Sequence, residues 1–343
     1  MKLLVITQTV DKTDANLGFF HTWLIKIANK VDHLYIICLK EGEHNLPQNV
    51  TIVSLGKEKG ASRWKYIRLF YQYIFQYKDQ YDHVFVHMNP EYVILGGFWW
   101  RMWKKKVLLW YTHKAVNVRL RVAEKLVAKV FSASKESFRL PSTKVEVVGH
   151  GIDVEAFTTP RRLDSGSIRL LSVGRVSPVK DLETSILACH ALNTRHIKTS
   201  LTIVGEAITS QDKAYERVLR DLVKKLNVTS SVQFVGGKPH DEISSYYNTH
   251  HILVHTSRTG SMDKVVLEAL ASGMNVASSS EAFTGTPVFS INQKDPDGLV
   301  TMIRQIIDQH LLVQTNQEGI VYVRDHHSLD RVVQKIITYF SGA

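Results

Sequence analysis

Charged side chains at the end of a predicted strand form the first stretch that could bind a substrate. In SVGRVSPVKD, Gly174 and Arg175 follow an apolar run, and Lys180 comes before a helical pattern. A cation at a strand end and a second cation a few residues later can hold a diphosphate from one side. On its own this pattern more often belongs to a solvated turn, so its interpretation depends on the sequence that follows.

The second stretch, SRTGSMDKVVLEALASGMNV, covers residues 257–276. The apolar run Ile252–His255 before it predicts a buried strand, and the apolar spacing from Met262 onward predicts a helix that stops at Gly273. A strand, turn and helix of this kind direct the first N–H groups of the helix at the space beyond the C-terminal end of the strand. That space is suited to a phosphate.

Two carboxylates of this predicted helix could bind a part of the ligand other than its phosphate. Glu268 is expected two turns past the turn residues, on the side of Ser261, where its carboxylate would accept hydrogen bonds from the hydroxyls of a sugar. Asp263 offers a carboxylate one turn into the helix, although the helix dipole alone ordinarily explains an acid in the first turn. A sugar whose phosphates lie at the helix start is therefore the expected ligand.

Both stretches resemble the donor-binding signature of family 4 glycosyltransferases, which are retaining enzymes of GT-B fold. The signature is a Glu, seven residues and a second Glu, followed by Ala, a hydrophobic residue, Ala, a small residue and Gly. EALASG, which begins at Glu268, is similar to its second part, and Gly260 stands where the signature has its first Glu. SVGRVSPVKD resembles the Gly-Arg and Lys element of the family, which implies that Arg175 and Lys180 hold the diphosphate of the donor.

The resemblance implies further site residues. It places the nucleotide base near Gly236 and Lys238. The loop at Gly18 resembles a glycine-bearing loop of the family that reaches the donor and the acceptor. His113 ends a strand of the first half where the family often has a functional His, but a lone His is as often structural, and His87 is its rival. The expected catalytic residues are Arg175, Lys180, His113 and Asp263, and the expected substrate-binding residues are Gly18, Gly174, Gly205, Gly236, Lys238, Gly260, Ser261, Met262 and Glu268.

Strand-like apolar runs alternate with helical patterns in both halves, which predicts an α/β protein with two doubly wound parallel sheets. The predicted strands are residues 3–6, 34–39, 50–53, 84–86, 106–110, 145–148, 169–173, 200–204, 232–235, 252–255 and 275–277. The resemblance implies a GT-B arrangement of two Rossmann-like domains whose sheets face across a cleft. We expect an acceptor-side domain at 1–160, a donor domain at 161–325 that begins with a polar linker, and a final helix at 326–343, which in this fold commonly crosses back to the first domain.

Composition narrows the class of protein. The 343 residues are enough for two domains, and 44% hydrophobic with 22% charged residues is typical of a soluble globular protein. We find no apolar run long enough to span a bilayer and no secretory signal, so a cytoplasmic protein is expected. Cys38 and Cys189 are far apart and lie among apolar residues, which favours core thiols and gives no metal-binding spacing.

Positive charge is concentrated in the first half. Residues 1–160 hold 23 Lys and Arg against 14 Asp and Glu, which leaves only +2 of the net charge of +11 for the rest of the chain. This half should therefore meet an anionic partner. FWWRMWKKK, at residues 98–106, combines aromatic and basic residues as a membrane interface does, although a helix with its Trp side chains inward would have the same sequence. No nucleic-acid recognition motif is present.

The predicted function is a retaining, metal-independent glycosyltransferase that moves a sugar from a nucleotide sugar to a hydroxyl acceptor, such as a glycolipid or glycan precursor. No cofactor is expected, and Asp295-Pro296-Asp297 is interpreted as a helix start rather than a metal site. The expected location is the cytoplasm, with peripheral attachment to the inner face of the cell membrane. Gly260 keeps open the alternative of a non-catalytic nucleotide-sugar-binding or scaffold protein; association with nucleic acid is a weaker alternative.

Overall fold

Apolar segments separated by helices build two parallel sheets, each with its own core. The computed structural model describes residues 1–14, 17–159, 161, 163–164 and 166–342. Its contacts divide the chain into one unit of Met1–Gly151 with His327–Ala343 and a second unit of Ile152–His326. The sequence places the domain boundaries at 160/161 and 325/326; Pro160, and residues 162 and 165 of the expected linker, lie outside the described residues.

The first unit has a seven-stranded sheet in its described residues. The strands are β1 (Lys2–Val10), β2 (His33–Glu41), β3 (Val50–Ser54), β4 (His83–His87), β5 (Val107–Trp110), β6 (Lys129–Ser132) and β7 (Val145–Val147). They pair in parallel in the order β3-β2-β1-β4-β5-β6-β7. Consecutive residues of β1 are buried on opposite faces, so the strand is a continuous apolar run rather than an alternating one.

Helices cover both faces of this sheet. The helix α1 (Phe19–Ala28) packs on the face that carries Leu3 and Val5. The helices α2 (Arg63–Gln76), α3 (Pro90–Met102) and α4 (Val118–Leu126) pack on the face that carries Leu4 and Ile6. Cys38 is buried in the first of these cores, and burial raises the pKa of its thiol to about 12.

The second unit repeats this plan with a six-stranded sheet in its described residues. Its strands are β8 (Ile168–Val173), β9 (Thr199–Val204), β10 (Val232–Gly236), β11 (Ile252–His255), β12 (Asn275–Ser278) and β13 (Phe289–Ser290), paired in parallel in the order β10-β9-β8-β11-β12-β13. Its helices are α5 (Leu182–Thr194), α6 (Ser210–Lys225), α7 (His240–Thr249), α8 (Lys264–Ala271), α9 (Pro296–Asp308) and α10 (Gln317–His327). Cys189 lies in this core, and burial raises the pKa of its thiol to about 12.

The last helix, α11 (Leu329–Ser341), belongs to the first unit. Its apolar side chains, among them Val332, Ile336 and Phe340, are buried in the same core as Phe20 and Trp23 of α1. Within the described residues, no helix is long and apolar enough to cross a membrane.

Three elements differ from the sequence prediction. The strands β6 and β13 are not among the predicted strands; β13 is only two residues long, so it has no recognisable apolar pattern. The helix α8 begins at Lys264 rather than at Met262, because Asp263 has an extended backbone with a ψ of 135° and occupies the N-cap position. Glu268 is therefore one turn past the first residue of α8.

Because Ile336 is fully buried against α1, Ile336→Ala is expected to lower the free energy of unfolding of the first unit by about 2–4 kcal/mol. All 6 Trp residues of the chain lie in this unit, so Trp fluorescence in urea reports on it alone. Gln334→Ala, at an exposed position of the same helix, is the control and should change stability by less than about 0.5 kcal/mol. Equal midpoints for the two variants would contradict a stabilising role of α11.

Candidate functional site

The loops that follow β8 and β11 leave the second sheet where its strand order reverses. β8 and β11 are neighbours, and the chain runs from β8 outward to β9 and β10 but from β11 outward to β12 and β13. Loops that diverge at such a reversal open a crevice beyond the C-terminal ends of the strands, and parallel sheets commonly bind ligands there. The backbone N–H of Arg258 donates to the carbonyl of Val179 over 2.8 Å, which joins the two loops.

Thr256 adds a second link between these loops. Its side chain is buried, and its hydroxyl lies 2.9 Å from the carbonyl oxygens of both Lys180 and Asp181. The backbone that carries Lys180 is therefore held by the residue that follows β11. The stretch around Lys180 therefore lies beside the stretch around Gly260.

Lys180 and Asp263 form an ion pair at this junction. The Lys180 Nζ donates to the Asp263 Oδ2 over 2.5 Å, and each side chain is 20% exposed. The same carboxylate oxygen lies 2.9 Å from the Nε2 of His255, whose Nδ1 is 2.8 Å from the Ser278 hydroxyl. The Ser261 hydroxyl donates to the Asp263 Oδ1 over 3.0 Å. Both oxygens of the Asp263 carboxylate are thus engaged by the protein's own groups.

The charge on Asp263 is maintained by these contacts. Burial alone would raise the pKa of its carboxyl group, because a buried charge loses hydration. The hydrogen bond with His255 and the positive charge of Lys180 outweigh burial, so the pKa lies far below its usual range. Turning this carboxylate toward a sugar would break its contacts with Lys180, His255 and Ser261.

Arg175 is the more exposed of the two predicted cations. Its side chain is 49% exposed, and its Nε lies 3.9 Å from the Oδ2 of the buried Asp212. Asp212 also accepts a hydrogen bond from the backbone N–H of Thr209, where the two residues cap α6. A half-exposed ion pair contributes about 1 kcal/mol or less, so an incoming anion can compete with Asp212 for the guanidinium.

Glu268 is buried and bound by side chains of α7. Its Oε2 accepts a hydrogen bond from the Tyr247 hydroxyl at 3.0 Å, and its Oε1 lies 3.1 Å from the Nε2 of His240. Burial raises the pKa of the Glu268 carboxyl, but the hydrogen bond with His240 and the nearby Lys264 reverse the direction, so the pKa is lowered. Burial lowers the pKa of Lys264 to about 7 against the attraction of Glu268.

The predicted glycines lie at the ends of three adjacent strands. Gly174 follows β8, Gly205 follows β9, and Gly236 is the last residue of β10. Gly205 has a φ of 150°, and a Cβ atom there would lie 1.9 Å from the carbonyl oxygen of Gly174. Only glycine fits this approach of two backbones. Lys238, which follows them, has its Nζ 3.7 Å from the Glu242 carboxylate.

The turn before α8 contains the remaining predicted donor-binding residues of this unit. Gly260 has a φ of 61°, in the left-handed region that favours glycine. The Ser261 hydroxyl is 2.7 Å from that of Thr259, so a chain of hydroxyl groups leads along the turn to Asp263. Met262 is buried in the core beneath α8.

Three predicted residues lie in the first unit. His113 is exposed in the loop after β5, and its Nδ1 accepts a hydrogen bond from the backbone N–H of Ala115 at 3.1 Å. Its rival His87 is buried, with its ring stacked 3.8 Å from the ring of Phe20, which is a structural environment. A Cβ atom at Gly18 would lie 2.7 Å from the carbonyl oxygen of Asp14, so the close approach of the preceding loop favours glycine there.

Among the described residues, no three or more His, Cys, Asp or Glu side chains lie close enough together to hold a metal ion. The Asp-Pro-Asp segment starts a helix, as the sequence indicates. The Asp295 Oδ1 accepts a hydrogen bond from the backbone N–H of Gly298 at 2.8 Å, at the N-cap of α9.

Sequence comparisons relate most of this unit to a described family of domains. Residues 153–310 match the family described as Glycosyl transferases group 1. Residues 153–310 form a glycosyl transferases group 1 domain. Over 222 residues the chain is 28% identical to a glycogen synthase from Mycobacterium tuberculosis, with 62% of this chain and 52% of that relative covered. Over 150 residues it is 30% identical to the amylovoran biosynthesis glycosyltransferase AmsK of Erwinia amylovora, with 41% of this chain and 35% of that relative covered. The chain spans about half the length of the first relative.

Solved structures share the fold over the whole chain. Anabaena HepE in complex with UDP has a TM-score of 0.79 at 16% identity, and 100% of both chains is covered. A sucrose-phosphate synthase from Thermosynechococcus elongatus has a TM-score of 0.79 at 15% identity, with 100% of this chain and 99% of that chain covered. These likenesses confirm the predicted fold class, an α/β protein with two Rossmann-like parallel sheets, as in GT-B glycosyltransferases.

Several residues that build the site of the group 1 domain were not found from the sequence. His255 contacts Asp263 and is itself bonded to the Ser278 hydroxyl, and His240 and Tyr247 contact Glu268. His255 is the last residue of a buried apolar strand, and its position at a strand end is a signal that could have singled it out. His240 and Tyr247 lie on a helix with no comparable signal, and only the folded chain brings them to Glu268.

The ion pair of the group 1 domain predicts a pH-dependent effect of Asp263→Asn. At pH 7 the variant should lose about 2 kcal/mol of unfolding free energy, because Lys180 and His255 no longer face a carboxylate. The folded-state pKa of Asp263 is depressed, so its contribution is fully present above the unfolded value of about 3.9 and is lost as the pH falls below it. The difference between wild type and variant should therefore shrink between about pH 5 and pH 2.

Urea unfolding followed by circular dichroism measures this difference. Asp297→Asn is the matched control, because the Asp297 carboxylate is 86% exposed, 3.7 Å from Arg195. Its effect should stay within about 0.5 kcal/mol of wild type across the pH range. If the loss in Asp263→Asn were the same at about pH 3 as at pH 7, the stabilising ion pair would be disproved.

Proposed function

We propose that the chain is a glycosyltransferase that uses a nucleotide sugar as its donor. The observation that carries the proposal is the arrangement of Arg175, Lys180 and the start of α8 around one strand-order reversal in a glycosyl transferases group 1 domain. Anabaena HepE, which has a similar fold, was solved with UDP and with UDP-glucose, which supports a nucleoside diphosphate sugar as the ligand class.

The proposed chemistry needs positive charge at the diphosphate. Transfer breaks the bond between the anomeric carbon of the sugar and an oxygen of the diphosphate, and the bonding electrons remain on that oxygen. The Lys180 ammonium has three N–H donors, of which Asp263 takes one. The Arg175 guanidinium and the first N–H groups of α8 add further donors. Groups fixed in place before the reaction stabilise the developing charge without reorganisation.

We propose that the anomeric configuration is retained and that no metal ion takes part. The acceptor hydroxyl attacks from the side of the leaving group, and the departing phosphate takes its proton. In this scheme no side-chain base is required, so the role of His113 is to position rather than to deprotonate. Arg175, Lys180 and the α8 N-terminus supply the positive charge that a divalent cation supplies in other enzymes.

We propose a catalytic protein rather than a nucleotide-sugar-binding protein without activity. Gly260 suggests that alternative, because a carboxylate is missing there. Hydrolysis of UDP-, GDP- and ADP-sugars, measured beside thermal shifts with the same compounds, separates the two: an enzyme releases nucleoside diphosphate, and a binding protein shows only the thermal shift. An absence of both with every donor would refute the nucleotide-sugar proposal.

Arg175→Ala and Lys180→Ala test the diphosphate assignment. Each is expected to lower donor turnover by about 30- to 1000-fold, which corresponds to the loss of 2–4 kcal/mol of transition-state stabilisation. Arg195→Ala is the matched control for Arg175, because its side chain is 48% exposed and lies 3.7 Å from a carboxylate of the same unit. Melting curves show whether each variant is folded. Turnover near that of wild type in folded Arg175→Ala and Lys180→Ala proteins would refute the assignment.

We further propose that the first unit attaches to anionic membranes, where a lipid-linked acceptor would be found. The aromatic-basic surface consists of Phe75 on α2 and residues 98–104 at the end of α3. Phe98 is 60% and Met102 57% exposed, whereas Trp100 is fully buried. Phe75 packs against Trp99 and Trp103 with ring centroids 4.8 and 5.2 Å apart. Exposed aromatic groups beside basic residues suit the interface of an anionic membrane.

Arg101→Glu with Lys104→Glu tests this surface, because both side chains are exposed. Lys105 is unsuitable, since its Nζ donates to the Tyr81 carbonyl and lies 4.4 Å from the centre of the Tyr81 ring. The double variant should bind phosphatidylserine vesicles at least about tenfold more weakly, at about 1 kcal/mol per basic residue. Lys224→Glu with Lys225→Glu, exposed on α6 of the second unit, is the control. Wild-type protein that fails to sediment with these vesicles at low salt would refute membrane attachment.

A further inference from the structure

An exposed carboxylate, that of Glu281, occupies the space beside Gly260. A Cβ atom at Gly260 would lie 2.8 Å from the Glu281 Oε1 and 3.3 Å from its Cγ. Glu281 is exposed at the start of the short 3-10 helix Glu281–Phe283, which follows β12. The chain therefore has a carboxylate at this place in the site, although it comes from a different loop than position 260.

The backbone that carries Glu281 is held in place. The Ser280 hydroxyl donates to the carbonyl of Ser261 over 2.9 Å, and the Ser279 hydroxyl donates to the carbonyl of Ser257 over 3.1 Å. Phe283 is buried, and the edge of its ring meets the ring of His255 with centroids 6.3 Å apart. The loop after β12 is thus fastened to the loop after β11, and Glu281 stands at a defined position beside the turn.

Charge decides which part of a ligand can meet this side chain. A carboxylate repels a diphosphate, and the repulsion is strongest at short distance. The group at Glu281 must therefore be neutral and must donate hydrogen bonds, because an ionised carboxylate has only acceptor atoms. In a nucleotide sugar such groups are the hydroxyls of the donor sugar and of the ribose, and of these two only the donor sugar is absent from the nucleoside diphosphate.

We propose that Glu281 binds hydroxyl groups of the donor sugar and so replaces the carboxylate that is absent at position 260. This inference rests on the proposed function, because it assumes a nucleotide-sugar donor. It assigns Glu281 to the recognition of the sugar and not to the binding of the nucleoside diphosphate. Gly260 contributes by leaving room: any side chain there would meet the Glu281 carboxylate, so Gly260→Glu is not expected to raise activity.

Calorimetric titration with two ligands tests the assignment. UDP-glucose and UDP are titrated into wild type, Glu281→Gln and the control Glu318→Gln, whose side chain is exposed at the start of α10 in the same unit. GDP-mannose and GDP replace them if wild type binds only the guanosine pair. Glu281→Gln is expected to bind the nucleotide sugar about tenfold more weakly, which is the usual size of one lost charge-assisted hydrogen bond. It should bind the nucleoside diphosphate as tightly as wild type or more tightly, because a repulsive charge is removed.

Each other outcome contradicts a stated claim. Unchanged affinity of Glu281→Gln for the nucleotide sugar overturns the role of Glu281 and leaves the proposed function intact. Equal weakening of both ligands also overturns it, because a disturbed loop would affect the diphosphate as well. If wild type binds neither UDP-glucose and UDP nor GDP-mannose and GDP, the proposed function is refuted. The role of Glu281 is then refuted as well.

Gly260→Ala provides a second, independent variant. Its Cβ atom would displace the Glu281 carboxylate, so it should weaken binding of UDP-glucose more than binding of UDP. In the Glu281→Gln background, Gly260→Ala should have little further effect on the difference in affinity between UDP-glucose and UDP. The reason is that the carboxylate is already gone. Fully additive effects of the two substitutions would show that they do not act through one group, which overturns the proposal.

Discussion

The Asp263 carboxylate has to be buried and ionised at the same time, and this constraint shapes the loops of the second unit. A buried charge is tolerated only when it is paired and hydrogen-bonded. Two partners of Asp263 come from different strands: Lys180 follows β8 and His255 ends β11. The other ring nitrogen of His255 is bonded to the hydroxyl of Ser278, which ends β12. Satisfying one carboxylate therefore fixes the ends of three strands, and the site at the strand-order reversal is fixed with them.

The two cations of the site are held in different ways, which gives them different roles toward an anion. Lys180 is 20% exposed and tied to Asp263 at 2.5 Å, whereas Arg175 is 49% exposed and 3.9 Å from Asp212. An anion that displaced Lys180 would leave Asp263 as a buried charge without its cation, which is costly. Arg175 can give up its 3.9 Å contact with Asp212 at less cost, because Asp212 keeps its hydrogen bond with the backbone N–H of Thr209 at the N-terminus of α6. A fixed ammonium and an adjustable guanidinium together can accept a ligand without the loss of a buried charge pair.

Local patterns in the sequence were sufficient for the fold class and for the two loops that build the site. The sequence singles out Arg175 and Lys180 because they stand between an apolar strand and a helix, and the periodicity that reveals such elements is a local property. The start of α8 was misplaced because Asp263 adopts an extended backbone and is engaged by Lys180, a partner 83 residues away. Contacts of that kind have no local signature.

The neighbours of Glu268 and Gly260 show the same limit. Tyr247 and His240 reach Glu268 from another helix, and Glu281 reaches Gly260 from the loop after the next strand. Each of these residues has an unremarkable sequence environment, and its role depends on the packing of elements that only the folded chain brings together. The sequence therefore shows where a ligand is expected, but not which side chains complete its site.

The absence of a carboxylate at position 260 does not by itself indicate a site that has lost its function. The backbone of Gly260 has a φ of 61°. Residues other than Gly, Asn and Asp are strained in this conformation. Stability alone does not require the Lys180–Asp263 pair, because apolar residues in place of both partners of a buried ion pair are often as stable or more stable. The pair holds the Lys180 ammonium at one position where two loops diverge, which is what the proposed binding of a diphosphate requires.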